Sequence, residues 1–325
     1  MPFWQQRLPG RQPILNAGNV SLPLIVVGLV FIPAGVAIFF SSNRLQEYQF
    51  DYTQCKRVNS NQTCASIIER DPRQSCVCLE LIQLPEDFKE AVHIYYGLTK
   101  YYQNFRLYVQ SRDDKQLLGE PRRSRSQCEP VARDGRTGYV YYPCGAIANS
   151  LFNDSLRLKY LAGPSNFKDM GLLFDDISWP TDRTRKFKNP PGMNLSGTIK
   201  PPNWQMPVNV MPGGIQNEAF IVWMRTATLP SLRKLYARVD HHGPFAKVMP
   251  KGRYLLEVKY RYPVTQFKGT KRLILSNASW MGSRNPFFGI AFISVGCLCV
   301  VLGLVFIAIH RKFGSKWCHN NNYAC

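Results

Sequence analysis

Histidine is scarce in this 325-residue chain. Only five occur, and His93, His241, His242, His310 and His319 form no HExxH pattern, which excludes a zincin-type hydrolase. No glycine-rich phosphate loop, GxSxG elbow or aspartyl-phosphate motif is present, so nucleotide hydrolysis, serine-elbow hydrolysis and phosphoenzyme chemistry lack the residues they need. Paired acids occur at Asp113-Asp114 and Asp175-Asp176, but on loops such pairs read as solvated rather than catalytic or metal-binding. His241-His242 before Gly243 reads as an exposed turn. The expectation is a protein that is not an enzyme and holds no cofactor and no metal.

Charge is missing from two long stretches. Ser21 to Phe40 and Phe287 to Ile309 are apolar blocks without Asp, Glu, Lys, Arg or His. Each is close to the roughly 20 residues a helix needs to cross the hydrocarbon of a bilayer. The first block follows Arg7 and Arg11 as the apolar region of a signal peptide does. It is, however, longer than such a region, contains Pro23 and Pro33, and ends on Ser41-Ser42-Asn43, a poor cleavage site. With no ionisable group inside either span, neither offers a substrate path or proton relay.

Acid is absent from both ends of the chain. All 21 Asp and Glu lie between the spans, whereas Arg7, Arg11, Arg311, Lys312 and Lys316 lie outside them. By the positive-inside rule the tails are cytosolic, although Arg44 and Arg284 on the other side weaken the contrast. The expected order is a cytosolic tail over 1–20, a transmembrane helix over 21–40, a lumenal or extracellular domain over 41–285, a second transmembrane helix over 286–309 and a cytosolic tail over 310–325. The middle keeps 36 of the 41 basic residues against 21 acids, a surplus of 15 positive charges. A domain outside the cytosol meets no genome, so this charge points away from nucleic acid and toward lipid head groups or acidic loops of a protein partner.

Cysteines and glycosylation triplets give an independent reading. Cys55, Cys64, Cys76, Cys78, Cys128 and Cys144 lie between the spans, an even number suited to pairing in an oxidising compartment. Asn61, Asn153, Asn194 and Asn277 head acceptor triplets in the same interval, while Asn19-Val20-Ser21 abuts the first span on the wrong side. Cys76-Val77-Cys78 is not CxxC, and structural disulfides are expected rather than zinc or redox chemistry. Pleating is expected to turn Cys76 and Cys78 to opposite sides, so that they do not bond each other and take Cys55 and Cys64 as partners. Four cysteines allow three connectivities. The nested pattern of Cys55 with Cys78 and Cys64 with Cys76 is preferred, with Cys128 to Cys144 as the third bridge. Cys297 and Cys299 read as packing or lipid-facing residues, and Cys318 as a position open to palmitoylation.

The middle segment reads as mainly β. Alternation from Arg253 to Tyr262 marks a half-buried strand, Phe105 to Val109 suggests another after a tyrosine-rich approach from Val92 that can be helical, and Phe220 to Arg225 reads as a covered strand. A helix is predicted after Pro230, on Leu232, Leu235, Tyr236 and Val239. Between Gly163 and Gln216 turn formers dominate, which fits either an arm laid over a partner or a long loop pinned to its own domain. No internal repeat or clean linker divides the segment. The fold expected is two transmembrane α-helices flanking an antiparallel β-sandwich with helical and long-loop insertions.

Glycine recurs every seven residues at Gly28 and Gly35, and at Gly289, Gly296 and Gly303. On a helix that spacing keeps small residues on one face and lets two backbones approach closely. A helix of a partner protein is the favoured neighbour, packing between the chain's own two spans being the alternative.

Several runs resemble one family. They are Gln6-Arg7-Leu8-Pro9, Tyr95-Tyr96-Gly97-Leu98, Tyr102-Gln103-Asn104, Ser111-Arg112-Asp113-Asp114, the stretch from Pro143-Cys144-Gly145 to Asn149-Ser150, Trp223-Met224-Arg225-Thr226-Ala227, Arg233-Lys234-Leu235-Tyr236, and Trp280-Met281-Gly282 to Asn285-Pro286. In this order they are similar to the cell-division-cycle-fifty family, the β subunits of type IV P-type ATPases that flip phospholipids. The resemblance implies a chaperone and activator that accompanies the ATPase out of the endoplasmic reticulum toward Golgi and plasma membrane. It also implies a partner that moves aminophospholipids to the cytosolic leaflet, a sandwich-like outer domain, paired cysteines matching the six named, and a glycan at Asn153. The chain departs in its very short tails and in a wider spacing from Cys55 to Cys76. A competing plan, the two-span subunit of a ligand-gated channel, is disfavoured because the second span has little polar lining for a pore apart from Ser294 and its cysteines.

Overall fold

The computed structural model describes residues 16–72, 74–89, 91–121, 126–163, 166–241, 245, 248–277 and 284–314. Outside them lie Gln6-Arg7-Leu8-Pro9, the Trp280 to Ser283 part of its run, His242, Gly243, His319 and Cys318. In chain order the elements are α1 (Ala17–Asn43), β1 (Glu47–Asp51), α2 (Cys64–Arg70), β2 (Cys76–Leu84), β3 (Val92–Leu98), α3 (Arg106–Gln110), α4 (Asp114–Leu117), β4 (Val140–Tyr141) and α5 (Ala146–Asn149). There follow β5 (Ser155–Gly163), β6 (Asn166–Asp169), β7 (Leu172–Leu173), β8 (Thr198–Ile199), α6 (Glu218–Met224), β9 (Leu232–Val239), β10 (Gly252–Tyr260), β11 (Lys271–Asn277) and α7 (Phe287–Ile309). Two units result, Met1–Leu45 with Gly282–Cys325, and Gln46–Met281.

The first unit is a pair of antiparallel helices. The apolar helical segments Ala17–Asn43 and Phe287–Phe313 each have 27 residues, with mean hydropathies of 2.6 and 2.9 over an 18-residue stretch of each, and their length is enough for a span of about 40 Å at 1.5 Å per residue. The buried residues of α1 are Ser21, Gly28, Gly35 and Ser42, and those of α7 are Gly289, Gly296 and Gly303. These two stripes meet each other. A Cβ at Gly28 would stand 2.8 Å from the carbonyl oxygen of Gly296, one at Gly35 2.9 Å from that of Gly289, and one at Gly289 2.8 Å from the Cα of Phe39. The preference for a partner helix on this face is therefore corrected, since the glycines are consumed by packing within the chain. The remaining surface carries exposed Leu22, Leu29, Val30, Leu298, Val301 and Leu304, as helices surrounded by hydrocarbon do.

The second unit is a β-sandwich. A five-stranded sheet in the order β1-β11-β3-β9-β7 faces a four-stranded sheet in the order β2-β10-β5-β6, and every ladder in both is antiparallel. On β10 the predicted alternation holds: Tyr254, Leu256, Val258 and Tyr260 are buried. They join Ile82, Leu84, Leu156 and Leu158 of the same sheet and Val92, Ile94, Leu273 and Leu275 of the other in one core. A second core gathers Tyr96 and Leu98 of β3, Ile147 and Ala148 of α5, and Phe220, Ile221, Trp223 and Met224 of α6.

Three local expectations are overturned. Leu232–Val239 is strand β9 rather than a helix. It bulges at Tyr236, because Ala237 faces Ile94 while Leu235 faces Tyr95, and one extra residue shifts the inward phase. Leu232 and Lys234 point inward before the bulge, Ala237 and Val239 after it, and that phase shift imitates a helical repeat. Phe220 to Met224, expected as a covered strand, belongs to helix α6; a short all-apolar run has no period to tell the two apart. The helix is set by its ends: Asn217 Oδ1 accepts from the Phe220 N–H at 3.0 Å, and Lys234 Nζ donates to the carbonyls of Val222 and Trp223 at 3.2 and 2.6 Å. Phe105 to Val109, expected as a strand, turns into α3, which buries none of its residues.

The turn-rich segment is pinned to its own unit. Phe187, Trp204 and Val208 are buried in the second core. Glu218 at the start of α6 accepts from the Asp176 N–H, the Ser178 N–H and the Ser178 hydroxyl at 3.0, 2.8 and 2.8 Å, and Arg183 donates to it at 2.6 Å.

Candidate functional site

The cysteines close three bridges, Cys55 to Cys78, Cys64 to Cys76 and Cys128 to Cys144. Cys76 and Cys78 share one face of β2, not opposite faces, since positions two apart on a strand point the same way; both are buried. They anchor the segment that contains Cys55 and α2 to the sandwich edge. The sulfurs of Cys55, Cys64 and Cys78 lie within 4.8 Å of one another, a cluster accounted for by two adjacent disulfides. Cys297 is exposed on α7 and Cys299 half-buried.

The acceptor asparagines sit in different settings. Asn61 and Asn194 are exposed on loops. Asn277 ends β11 and is buried, its Oδ1 accepting from the Gln46 N–H at 2.7 Å. Asn153 lines a groove of about 750 Å³. The residue after it, Asp154, is fully buried against Lys271, Oδ2 to Nζ 2.5 Å. Asp154 Oδ1 accepts from the backbone N–H groups of Arg261 and Tyr262 at 2.6 and 2.7 Å. Lys271 Nζ also donates to the Tyr262 carbonyl at 2.8 Å and stands 3.0 Å from the centre of the Tyr260 ring. Burial pulls the Lys271 ammonium down to about 8, with Asp154 opposing the shift.

Sequence reasoning missed this pair. The partners are 117 residues apart, and nothing local separates a buried lysine in a strand from a solvated one. Lys234 was missed as a buried group for the same reason, although it stands in one of the motifs. Burial draws its ammonium down to about 7, while the carbonyls of Val222 and Trp223 at the end of α6 accept hydrogen bonds from it.

The motif residues converge around the second core. Trp223 Nε1 donates to the Ile147 carbonyl at 2.8 Å, linking α6 to α5. Gly145 has φ +99°, and a Cβ there would fall 2.1 Å from the Ser111 carbonyl oxygen, so the Pro143 to Ser150 run and the Ser111 to Asp114 run require glycine at their contact. Gln103 Oε1 accepts from the Ala227 N–H at 3.0 Å, and Asn104 Nδ2 donates to the Thr228 carbonyl at 2.9 Å. These bonds join the segment that leads into α3 to the loop after α6; Tyr102 and Phe105 before α3, Leu107 in it and Leu229 on the other loop are 62, 60, 68 and 67% exposed. Large apolar side chains this exposed, on two segments bonded to each other, are candidates for an interaction surface.

An antiparallel sandwich stapled by disulfides and flanked in sequence by two long apolar helices defines the class as a two-span membrane protein with a β domain between its spans. The chain belongs to the LEM3 (ligand-effect modulator 3) / CDC50 family, whose model matches residues 38–316. It is 43% identical to Cell cycle control protein 50A of Bos taurus, over 97% of this chain and 89% of that one. It is also 43% identical to Cell cycle control protein 50B of Homo sapiens, over 97 and 93%. ALA-interacting subunit 3 of Arabidopsis thaliana is 33% identical over 96 and 87%. The two apolar helices and this membership make it an integral membrane protein.

Proposed function

We propose that this chain is the non-catalytic β subunit of a type IV P-type ATPase phospholipid flippase, needed for exit of the ATPase from the endoplasmic reticulum and for movement of aminophospholipid to the cytosolic leaflet. The observation that carries the reading is the likeness, along almost the whole chain, to a family that includes a protein named as an interacting subunit. The tails are cytosolic and the β domain lumenal or extracellular, which the acid-free tails, the three disulfides and the grouping of sequons support. Asn61, Asn153, Asn194 and Asn277 are its glycan acceptors. The pair works in the endoplasmic reticulum, Golgi and secretory vesicles, and plasma membrane.

The patch of Tyr102, Phe105, Leu107 and Leu229 is the surface offered to the outer loops of the catalytic subunit, with the basic excess of the domain steering acidic segments of that partner toward it. Co-purification from membranes tests the assembly: a large ATPase is expected with the tagged chain, and a stable homotrimer without it would favour the channel plan. Phe105→Asp combined with Leu229→Asp is expected to abolish co-purification while disulfides and glycans form normally. Unchanged recovery would move the interface elsewhere.

A further inference from the structure

We infer that the groove beside Asn153 is a bed for the glycan carried by Asn153 itself, so that the first sugars act as a packed structural element rather than a solvent-exposed tag. The inference rests on the non-cytosolic orientation proposed above. The groove, about 750 Å³ in volume, falls within the roughly 300–1,000 Å³ of small-molecule sites. Its walls come from three separate segments: the end of α2 with Asp71 and Gln74, the loop with Lys200, Asn203 and Gln205, and the end of β10 with Arg261. Amide, ammonium and guanidinium donors are the chemistry that recognises sugar hydroxyls and N-acetyl groups.

The sequon is held unusually firmly. Asp154 is locked by Lys271 and by the N–H groups of Arg261 and Tyr262, and Ser155 opens β5, so Asn153 has little freedom to swing away. Its Oδ1 is buried without a hydrogen-bond partner while the residue lines the groove. The amide thus has its oxygen end inward, which leaves Nδ2, the atom that bonds a sugar, as the end toward the groove. The walls are tied for the purpose: Arg261 Nη1 donates to Gln205 Oε1 at 2.7 Å, the Asn203 N–H to Asn149 Oδ1 at 3.0 Å, and Trp204 Nε1 to the Ala148 carbonyl at 2.6 Å. Asn61 and Asn194, exposed on loops, line no part of this groove.

The test is native deglycosylation of the full-length protein purified with its membrane partner. Peptide N-glycosidase is followed by site-resolved mass spectrometry. Release from Asn153 is expected to be at least about tenfold slower than from Asn61 and Asn194, because it requires the groove to open. Arg261→Ala with Gln205→Ala is expected to remove that protection and leave the Asn61 rate unchanged. Trimming the glycan to its first sugar on the folded wild type, which avoids any variant that fails to fold, is expected to raise hydrogen exchange in residues 200–205 and not in β10. Equal release rates at the three sites, or protection untouched by the double variant, overturns the inference. An unmodified Asn153 beside modified Asn61 and Asn194 also overturns it while leaving the orientation intact. Absence of sugar at all four acceptors overturns the orientation itself.

Discussion

In the helix pair, the buried residues are glycines and two serines, which let the facing backbone and the side chains of Val300, Ile293, Phe39, Ile32 and Ile25 come close, while many of the large apolar side chains stay exposed. In the β domain the large side chains meet, and ion pairs, capping bonds and disulfides accompany them. The difference follows from solvent. In hydrocarbon there is no gain from hiding a leucine, so two helices associate by bringing backbones close, and a Cβ at Gly28 or Gly289 would occupy space already taken by the other helix. In water the burial of Tyr254, Leu256, Trp223 and their neighbours drives folding, and each polar group carried inside must find a partner.

The largest effect is expected where a buried charge loses its partner. Asp154→Ala strands Lys271 in a side-chain environment with no exposure and should cost about 3–5 kcal/mol, read as a loss of thermal stability of the purified protein. Asp154→Leu with Lys271→Met should recover most of that loss; if the double variant is no better than the single one, the pair is not what matters. Removing the Cys128 to Cys144 bridge, which spans 16 residues, should cost about 2–4 kcal/mol in denaturant melts of the β domain and leave the helix pair unaffected.

Gly296→Leu reverses the comparison. The added side chain meets the backbone of Ile32 and the Cβ of Phe31, 3.1 and 3.2 Å from the new Cβ, so overpacking of about 1–3 kcal/mol should lower the yield of detergent-stable protein while the three disulfides still form. Full recovery would mean that the helices do not pack through this stripe. Smaller again, Glu218→Gln should cost about 1–2 kcal/mol and speed proteolysis between Asp175 and Arg185. Burial pushes the Glu218 carboxyl up, but the Ser178 and Asp176 N–H groups, the Ser178 hydroxyl and Arg183 outweigh it, leaving it below the ordinary 4.5. A carboxyl held low contributes above that ordinary value and loses its contribution as pH falls through the folded one, so the loop should stay protected in mildly acidic compartments and loosen only in stronger acid. Arg112→Ala, at a surface pair with Asp114 whose side chains are 39 and 71% exposed, should change stability by no more than about 0.5 kcal/mol.

Much of the architecture was legible because it depends on long-range composition. Two uncharged blocks announced two helices, and strict alternation announced β10. What misled was local. Lys234 and the bulge at Tyr236 broke the period of β9, Phe220 to Met224 had no period at all, and the alternation of Phe105 and Leu107 marked an exposed face rather than a half-buried strand. The glycine stripes were visible, but not what they touch. The groove at Asn153 could not be read at all, since its walls come from positions near 72, 203 and 261.

The sequence by itself determined that two helices suit a bilayer, that the stretch between them is a β domain with six cysteines, and that all the acids and four of the five sequons fall in that stretch, because hydrophobicity, charge and triplet spacing are properties of neighbours along the chain. Only the tertiary structure decided that the glycine stripes face each other, that Asp154 neutralises Lys271 and that a sequon borders a groove. Those are relations between residues far apart in sequence, settled by which backbones can approach and which buried charges can be paired.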